Sequence, residues 1–418
     1  MTMHLFRAHV VLLIAAFLLS WDSHAQQPAV PRLRAGAAAV DITPAIPVAL
    51  AGYLNPENRV SQGVHDRLYA RVIAFADGSR RVVLVSCDLT SFISAAYFQS
   101  RILSKFHLQP EELFLCATHT HSGPELSLNR TYPHPNNFQY TVSLSDRLLS
   151  CINAAFGDLG PCSVAAGKAD CRVGVNRRKP VAGGPVEMAP NPAGPADPEL
   201  LVLSLSRERE LPFAALFSYA CHSRSLRGTN TLVSGDIFGI AEQFVERARG
   251  NRFIAAAFAG ASGDIDPVSV VAGFDPPAGS VSEPIRLGTV LGEAVVGGMK
   301  AAHPLQAVMP IRTLQTHVPL PRKVQGQTAP VTVSLARIGD LAIVGLDCEA
   351  SVEIGRAIRS ASPFAYTFIV TVCNGWSGYL PVAHQYSEGG YEVSHSGFGP
   401  DAAGILVRET LRLLSGLR

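Results

Sequence analysis

The sequence is short of charge. Lys, Arg, Asp and Glu make up 16% of 418 residues, against ~25% in ordinary soluble domains. It has no block of Lys or Arg, and its formal net charge is +2, so nothing points to nucleic acid or to an acidic membrane surface as a partner. None of its eight cysteines stands in a Cys-x-x-Cys spacing, which argues against a thiolate zinc site. No uninterrupted apolar run reaches the ~20 residues that a membrane-spanning helix needs. No internal repeat and no low-complexity tract is visible. Gly and Pro, by contrast, are plentiful at 36 and 29 residues, which fits a large core joined by ordered loops.

The chain opens with the pattern of an export signal. Met1 to His9 carries Arg7 and no acid, Val10 to Leu19 is unbroken apolar, and Ser23-His24-Ala25 offers small residues for cleavage. Residues 1–25 are therefore read as a signal peptide, and the mature protein is expected from Gln26, secreted or periplasmic. Cys87, Cys116, Cys221, Cys348 and Cys373 lie in or just after apolar runs and read as small buried hydrophobes. Cys162 and Cys171 flank the hairpin-like stretch Ser163 to Asp170, which leaves a disulfide between them open.

Strand-like and helix-like segments alternate along the chain. Apolar runs at Val72–Phe75, Val82–Cys87, Leu113–Ala117, Phe213–Ala220, Phe253–Phe258, Leu341–Leu346 and Phe368–Val372 are separated by helical stretches. The helices are predicted at Ser94–Phe106, Val142–Phe156, Ile237–Arg249, Leu287–Ala302, Ala350–Ser360 and Ala402–Leu417. This predicts an α/β fold with a mixed β-sheet core and flanking helices. Ligand sites in such sheets form at the carboxyl ends of strands.

Several of those ends carry ligand-type residues. Thr118-His119-Thr120-His121-Ser122-Gly123-Pro124 follows the run Leu113 to Ala117. Residues two apart on an extended chain face one side, so His119 and His121 are expected to share a metal or a substrate; the plain alternative is a surface loop. His222 closes Phe213–Ala220, and Glu349 follows Leu341–Leu346. Each also has a plain reading, as a satisfied strand-end residue and as a helix N-terminal carboxylate. Two imidazoles and a carboxylate form a common catalytic zinc set. Composition by itself does not select Tyr379. The Pro/Gly-rich stretch from Asn176 to Pro198 is read as a flap over the site.

In order along the chain, these blocks resemble the catalytic domain of the neutral, non-lysosomal ceramidase family. The likeness runs through Gly36-Ala37-Ala38-Ala39-Val40-Asp41-Ile42-Thr43-Pro44, Gly63 to Arg71, the Thr118–Pro124 block, Asn176-Arg177 and Cys221-His222. It continues through Ser234-Gly235-Asp236, Gly263-Asp264-Ile265-Asp266-Pro267, Glu349, and Ser377-Gly378-Tyr379 to Tyr391-Glu392. The resemblance implies that residues 26–418 form a zinc hydrolase domain cleaving the amide bond of ceramide or a related N-acyl lipid by zinc-activated water. It implies Zn2+ ligands His119, His222, Glu349 and Tyr379, with His121, Arg177 and Tyr391 lining the reacting carbonyl.

Two departures bear on those expectations. The family carries a serine, proposed as nucleophile, where this chain has Asp266, so water on zinc is the expected attacking group. Long members add a C-terminal β-sandwich domain, whereas this chain stops after Ala402–Leu417. The substrate expectation therefore extends to a non-ceramide amide, ester or peptide, with a non-catalytic metal-binding relative as a further alternative. Asp88 and Asp236 are candidates to orient the histidines, against turn or helix-cap roles.

Overall fold

Three stretches of the chain repeat one order of elements in the computed structural model, which describes residues 33–207, 211–250, 252–268, 282–305 and 310–418. The signal expected at residues 1–25 lies outside the described residues. In the first stretch the strands Arg34–Asp41, Tyr69–Ala76 and Arg81–Cys87 run antiparallel. The helix Ala95–Phe106 then crosses over to Leu113–Ala117, parallel to Arg81–Cys87, and the helix Pro135–Gly157 follows. The second stretch does the same with Ser163–Asp170, Glu199–Ser206, Pro212–Tyr219, helix Asp236–Arg249, Ile254–Ala259 and helix Glu283–Lys300. The third uses Ile311–Pro321, Thr328–Ile338, Leu341–Leu346, helix Val352–Ala361, Tyr366–Val370 and helix Ala402–Leu417. The sequence shows no repeat because hydrophobicity and order recur here, and residue identities do not.

Packing explains why the strands read as unbroken apolar runs. The sheets meet at one inner core, to which Phe75, Leu84 and Phe114 contribute from the first, Leu203, Leu216 and Phe258 from the second, and Ile338, Ile343 and Phe368 from the third. Each outer face is covered by its own two helices in a separate apolar cluster. Strands buried on both faces lose the polar alternation of a half-exposed sheet. Phe258 and Phe368 meet edge to face with centroids 5.6 Å apart. Each such ring contributes roughly 1.5–3 kcal/mol when fully buried.

Polar stitches tie the stretches together. One residue before the end of the third strand, Ser86 Oγ donates to Ala257 O and, at the matching place, Ser218 Oγ donates to Ile369 O, both at 2.5 Å. The third sheet has Gly345 there, where a Cβ would lie 2.7 Å from Cys373 Sγ. Asn374 closes that seam instead, accepting from Leu115 N at 2.9 Å and donating to Leu113 O at 2.8 Å.

The mixed α/β architecture is as expected, but three local expectations need correction. All eight cysteines are free. Ser163–Asp170 is one strand paired along its length with Glu199–Ser206, so Cys162 and Cys171 sit at opposite ends of it. At ~3.3 Å per residue they are about 30 Å apart, far beyond the ~7 Å Cα limit of a disulfide. The stretch from Asn176 is not structureless either. Gly174–Lys179 pairs with Glu187–Asn191 on one side and with Ile265–Pro267 on the other. Finally, the helix expected from Val142 begins at Pro135, where the His134 ring accepts from Asn136 N at 3.2 Å. Among the described residues no helix is long and apolar enough to cross a membrane.

Candidate metal centre

The strand ends deliver their polar residues to one place, although not by simple alternation. His119 follows Leu113–Ala117 with φ +64°. It is therefore not extended, and a non-glycine residue in this region is strained. The turn is held by Thr120 Oγ1 donating to Ser234 O at 2.7 Å and His121 N donating to Ser223 O at 2.9 Å. The rings of His119 and His121 still converge, with centroids 5.0 Å apart and edge to face. His222 joins them from the end of Pro212–Tyr219, its ring 4.7 Å from His119 and 5.6 Å from His121. The convergence expected from the sequence is real, but the turn and its tethers produce it.

Backbone carbonyls orient two of the imidazoles. The Nδ1 of His119 lies 2.7 Å from Thr90 O, and that of His222 lies 2.7 Å from Ser262 O. A carbonyl only accepts, so each Nδ1 carries the proton and each Nε2 presents a lone pair. Both Nε2 atoms are 3.2 Å from Glu349 Oε2. Glu349 Oε1 accepts from Trp376 Nε1 at 2.8 Å. The Tyr379 hydroxyl is 3.5 Å from His222 Nε2, brought there by parallel pairing of Glu349–Ala350 with Tyr379–Leu380.

This donor set suits a cation. The three histidines offer nitrogens within 4.8 Å of one another. His119 Nε2 and both nitrogens of His121 are buried without a hydrogen-bond partner among the described residues. Buried polar atoms left unpaired are costly and call for a ligand. Burial, with Arg177 next in effect, pushes the His222 pKa down to about 4. Burial and its two histidine neighbours hold His121 well below its ordinary value. Burial alone would raise Glu349, but His119 and His222 hold it well below the usual carboxylate range. Neutral imidazoles at His121 and His222 beside an ionised carboxylate are the protonation states that metal ligation requires.

Arg177 stands behind Tyr379 and is 2% exposed. Its Nε donates to Glu392 Oε1 at 2.7 Å, its Nη1 to Asp266 Oδ1 at 3.1 Å and its Nη2 to Gly263 O at 2.7 Å. The guanidinium lies 5.6 Å from the Tyr379 ring centre and 5.7 Å from that of Tyr391. Tyr391 is exposed, edge-on to Tyr379 at 5.6 Å and stacked on His395 at 3.9 Å. Asp266 is shared between Arg177 and Arg224, whose Nε donates to Oδ1 at 2.7 Å and whose Nη2 pairs with Oδ2. Burial would raise the Asp266 pKa, but the two guanidinia hold it far below the usual range.

The two expected orienting carboxylates do other work. Asp88 accepts from Tyr69 N at 2.8 Å, lies 3.5 Å from Arg71 Nη1 and touches neither ligand histidine. Asp236 accepts from Ser225 Oγ and Ile237 N, both at 2.7 Å, at the start of its helix. Sequence patterns carry no mark for a carbonyl acceptor, so Thr90 and Ser262 were not legible as the orienting groups. Gly52 was missed as well. With φ +96° it lies so close to His121 that a Cβ would be 2.5 Å from the ring.

A cavity of about 290 Å³ opens beside the centre, lined in part by Tyr53, Arg177, Met188, Arg224, Arg227 and Asp266. Tyr53 is edge-on to His121 at 5.1 Å. Met188 comes from the Glu187–Asn191 strand, so the stretch read as a flap does form a wall of this cavity.

Comparison with known proteins gives a consistent picture. A family model described as neutral/alkaline non-lysosomal ceramidase, N-terminal, matches residues 33–274. The chain is 28% identical over 283 residues to a neutral ceramidase of Pseudomonas aeruginosa, covering 62% of this chain and 40% of that protein. It is 26% identical over 278 residues to neutral ceramidase A of Dictyostelium discoideum, covering 61% and 38%. These alignments thus span well under half of each relative. A solved ceramidase complexed with C2 superposes with TM-score 0.78 at 20% identity, over 93% of this chain and 75% of that one. The crystal structure of the P. aeruginosa neutral ceramidase gives 0.77 at 20% identity, over 92% and 74%. At that identity the structural likeness speaks for the fold.

Proposed function

Because the chain belongs to the neutral/alkaline non-lysosomal ceramidase family, we propose that it is an exported amidohydrolase that cleaves ceramide or a related N-acyl lipid. One zinc ion would be held by His119, His222, Glu349 and Tyr379. The observation that carries the reading is the approach of two carbonyl-oriented Nε2 atoms to Glu349 Oε2, each at 3.2 Å. Export rests on the pattern of residues 1–25.

When bound, zinc supplies Lewis acidity and brings the pKa of water down to ~7. The chain's own residues do the rest. His121, neutral and unpaired on both nitrogens, is the group placed to pass a proton to the leaving amine nitrogen. Arg177 is fixed on three sides before substrate arrives, and in this reading its charge would stabilise the developing oxyanion without reorganisation. Tyr391 offers a phenol O–H to the same oxygen. Asp266 is engaged by two guanidinia, which disfavours it as a nucleophile, and the reading gives it no covalent role. Cleavage adds water across the C–N bond and releases a fatty acid and an amine.

The test is metal analysis of protein purified without added metal, together with fatty-acid release from a short-chain ceramide. One zinc per chain is expected, lost in His119→Ala and His222→Ala along with turnover. Full zinc content without hydrolysis of any amide, ester or peptide in a panel would favour the non-catalytic relative. Zinc well below one per chain would overturn the ligand assignment.

A further inference from the structure

The cavity beside the metal centre is basic. Three guanidinia line it, those of Arg177, Arg224 and Arg227, against one carboxylate, Asp266. Asp266 is consumed by Arg177 and Arg224, and Arg177 is also paired with Glu392. Arg227 is half-buried on the cavity wall, and its side chain has no ion pair or hydrogen bond among the described residues. Its backbone sits at φ +60°, a conformation that costs an arginine about 1 kcal/mol or more and persists where the surroundings enforce it. The Nε and Nη2 of Arg224 hold Asp266, and its Nη1 has no acceptor among the described residues. The Tyr53 hydroxyl, on the same cavity, is a buried polar atom with no partner among the described residues.

These three unused donors belong to one space, and that space adjoins the reacting centre: Tyr53 contacts the His121 ring and Arg177 lies over Tyr379. Guanidinium groups recognise carboxylate, sulfonate or phosphate oxygens through paired N–H donors. A neutral diol head group, such as that of ceramide, would leave Arg227 without a counter-charge. Building on the proposed amidohydrolase activity, we infer that Arg227, Arg224 and Tyr53 form an anion subsite, and that the preferred substrate is an N-acyl amide whose amine half carries an acidic group close to the scissile bond. Selectivity of this kind is a difference between two substrates. It arises because the charged group gains paired donors that a neutral hydroxyl leaves unused.

The test uses two matched probes and the zinc-loaded full-length protein. N-dodecanoylglycine and N-dodecanoylethanolamine share the acyl chain and differ at the end of the amine half, carboxylate against hydroxyl. We expect kcat/KM for the glycine conjugate to exceed that for the ethanolamide by at least tenfold. The ratio should collapse at least tenfold in Arg227→Gln, chiefly through KM, and be restored only in part in Arg227→Lys, which returns the charge without the paired donors. Arg227→Glu should invert it. Rising salt should weaken the preference. Equal rates on the two probes, or a ratio unmoved in Arg227→Gln and Arg227→Glu, would overturn the anion subsite while leaving the amidohydrolase reading intact. Cleavage of neither probe, with a short-chain ceramide also untouched, would instead sink the amidohydrolase reading on which the subsite rests.

Discussion

Replacing Asp266 by Ala should expose how the site wall is held. The carboxylate is 10% exposed and bridges Arg177, at 3%, and Arg224, at 18%. Its removal strips acceptors from Arg177 Nη1 and from Arg224 Nε and Nη2. Breaking a buried pair from one side costs about 3–5 kcal/mol, because the other charge stays desolvated. Arg224 can recover part of its hydration, so the lower end, about 3 kcal/mol, is expected. Arg224→Met should cost less, about 1–2 kcal/mol, since Asp266 keeps Arg177 as its partner. The informative protein is the double variant. With Arg224 gone, the guanidinium left facing the missing carboxylate among the described residues is Arg177, which still holds Glu392 and Gly263 O. Asp266→Ala/Arg224→Met should therefore be more stable than Asp266→Ala, with an interaction energy of about 2 kcal/mol or more. Urea titration of the four proteins at matched metal content measures this. Additive losses, with the double variant weaker than either single one, would refute the account of a charge-locked wall.

Two further outcomes follow from the same structure. Gly52→Ala should displace the His121 ring, because the new Cβ would stand 2.5 Å from it at φ +96°; turnover should fall at least tenfold while zinc, held by the other ligands, remains, and full activity in steady-state assays would show that the ring position is not needed. Asp264 is fully buried, and burial outweighs the hydrogen bond from Val352 in pushing its pKa from 3.8 up to about 6. A raised acid favours the folded state at low pH, and that contribution is lost as pH rises through about 6, so the stability gap between wild type and Asp264→Asn should narrow by about 2 kcal/mol from pH 4.5 to 7.5; a gap independent of pH in denaturant titrations would contradict this.

Local chemistry determined a good deal by itself. Strands buried on both faces must be continuous apolar runs, and this made the alternation of Val82–Cys87, Leu113–Ala117, Leu341–Leu346 and their intervening helices readable as an α/β fold. The placement of His119, His222 and Glu349 beyond strand ends followed from the same runs, because polar residues are excluded from a strand until it leaves the core. The helix N-terminal role of Asp236 was also open to this kind of reading.

Tertiary structure decided what depends on residues far apart in sequence. His119 and His121 converge through a left-handed turn held by Ser223 and Ser234, and alternation does not see such tethers. The groups that orient the imidazoles are the carbonyls of Thr90 and Ser262, which every residue possesses and no sequence pattern marks. The pairing of Asp266 with Arg224 and Arg177 turned a residue at a candidate nucleophile position into one end of an ion-pair lock. The separation of Cys162 from Cys171 depended on whether the residues between them turn or run straight, and the partner strand Glu199–Ser206 settled that. The threefold recurrence of the sheet motif was hidden because burial constrains hydrophobicity and order at each position, while many apolar residues satisfy it equally well.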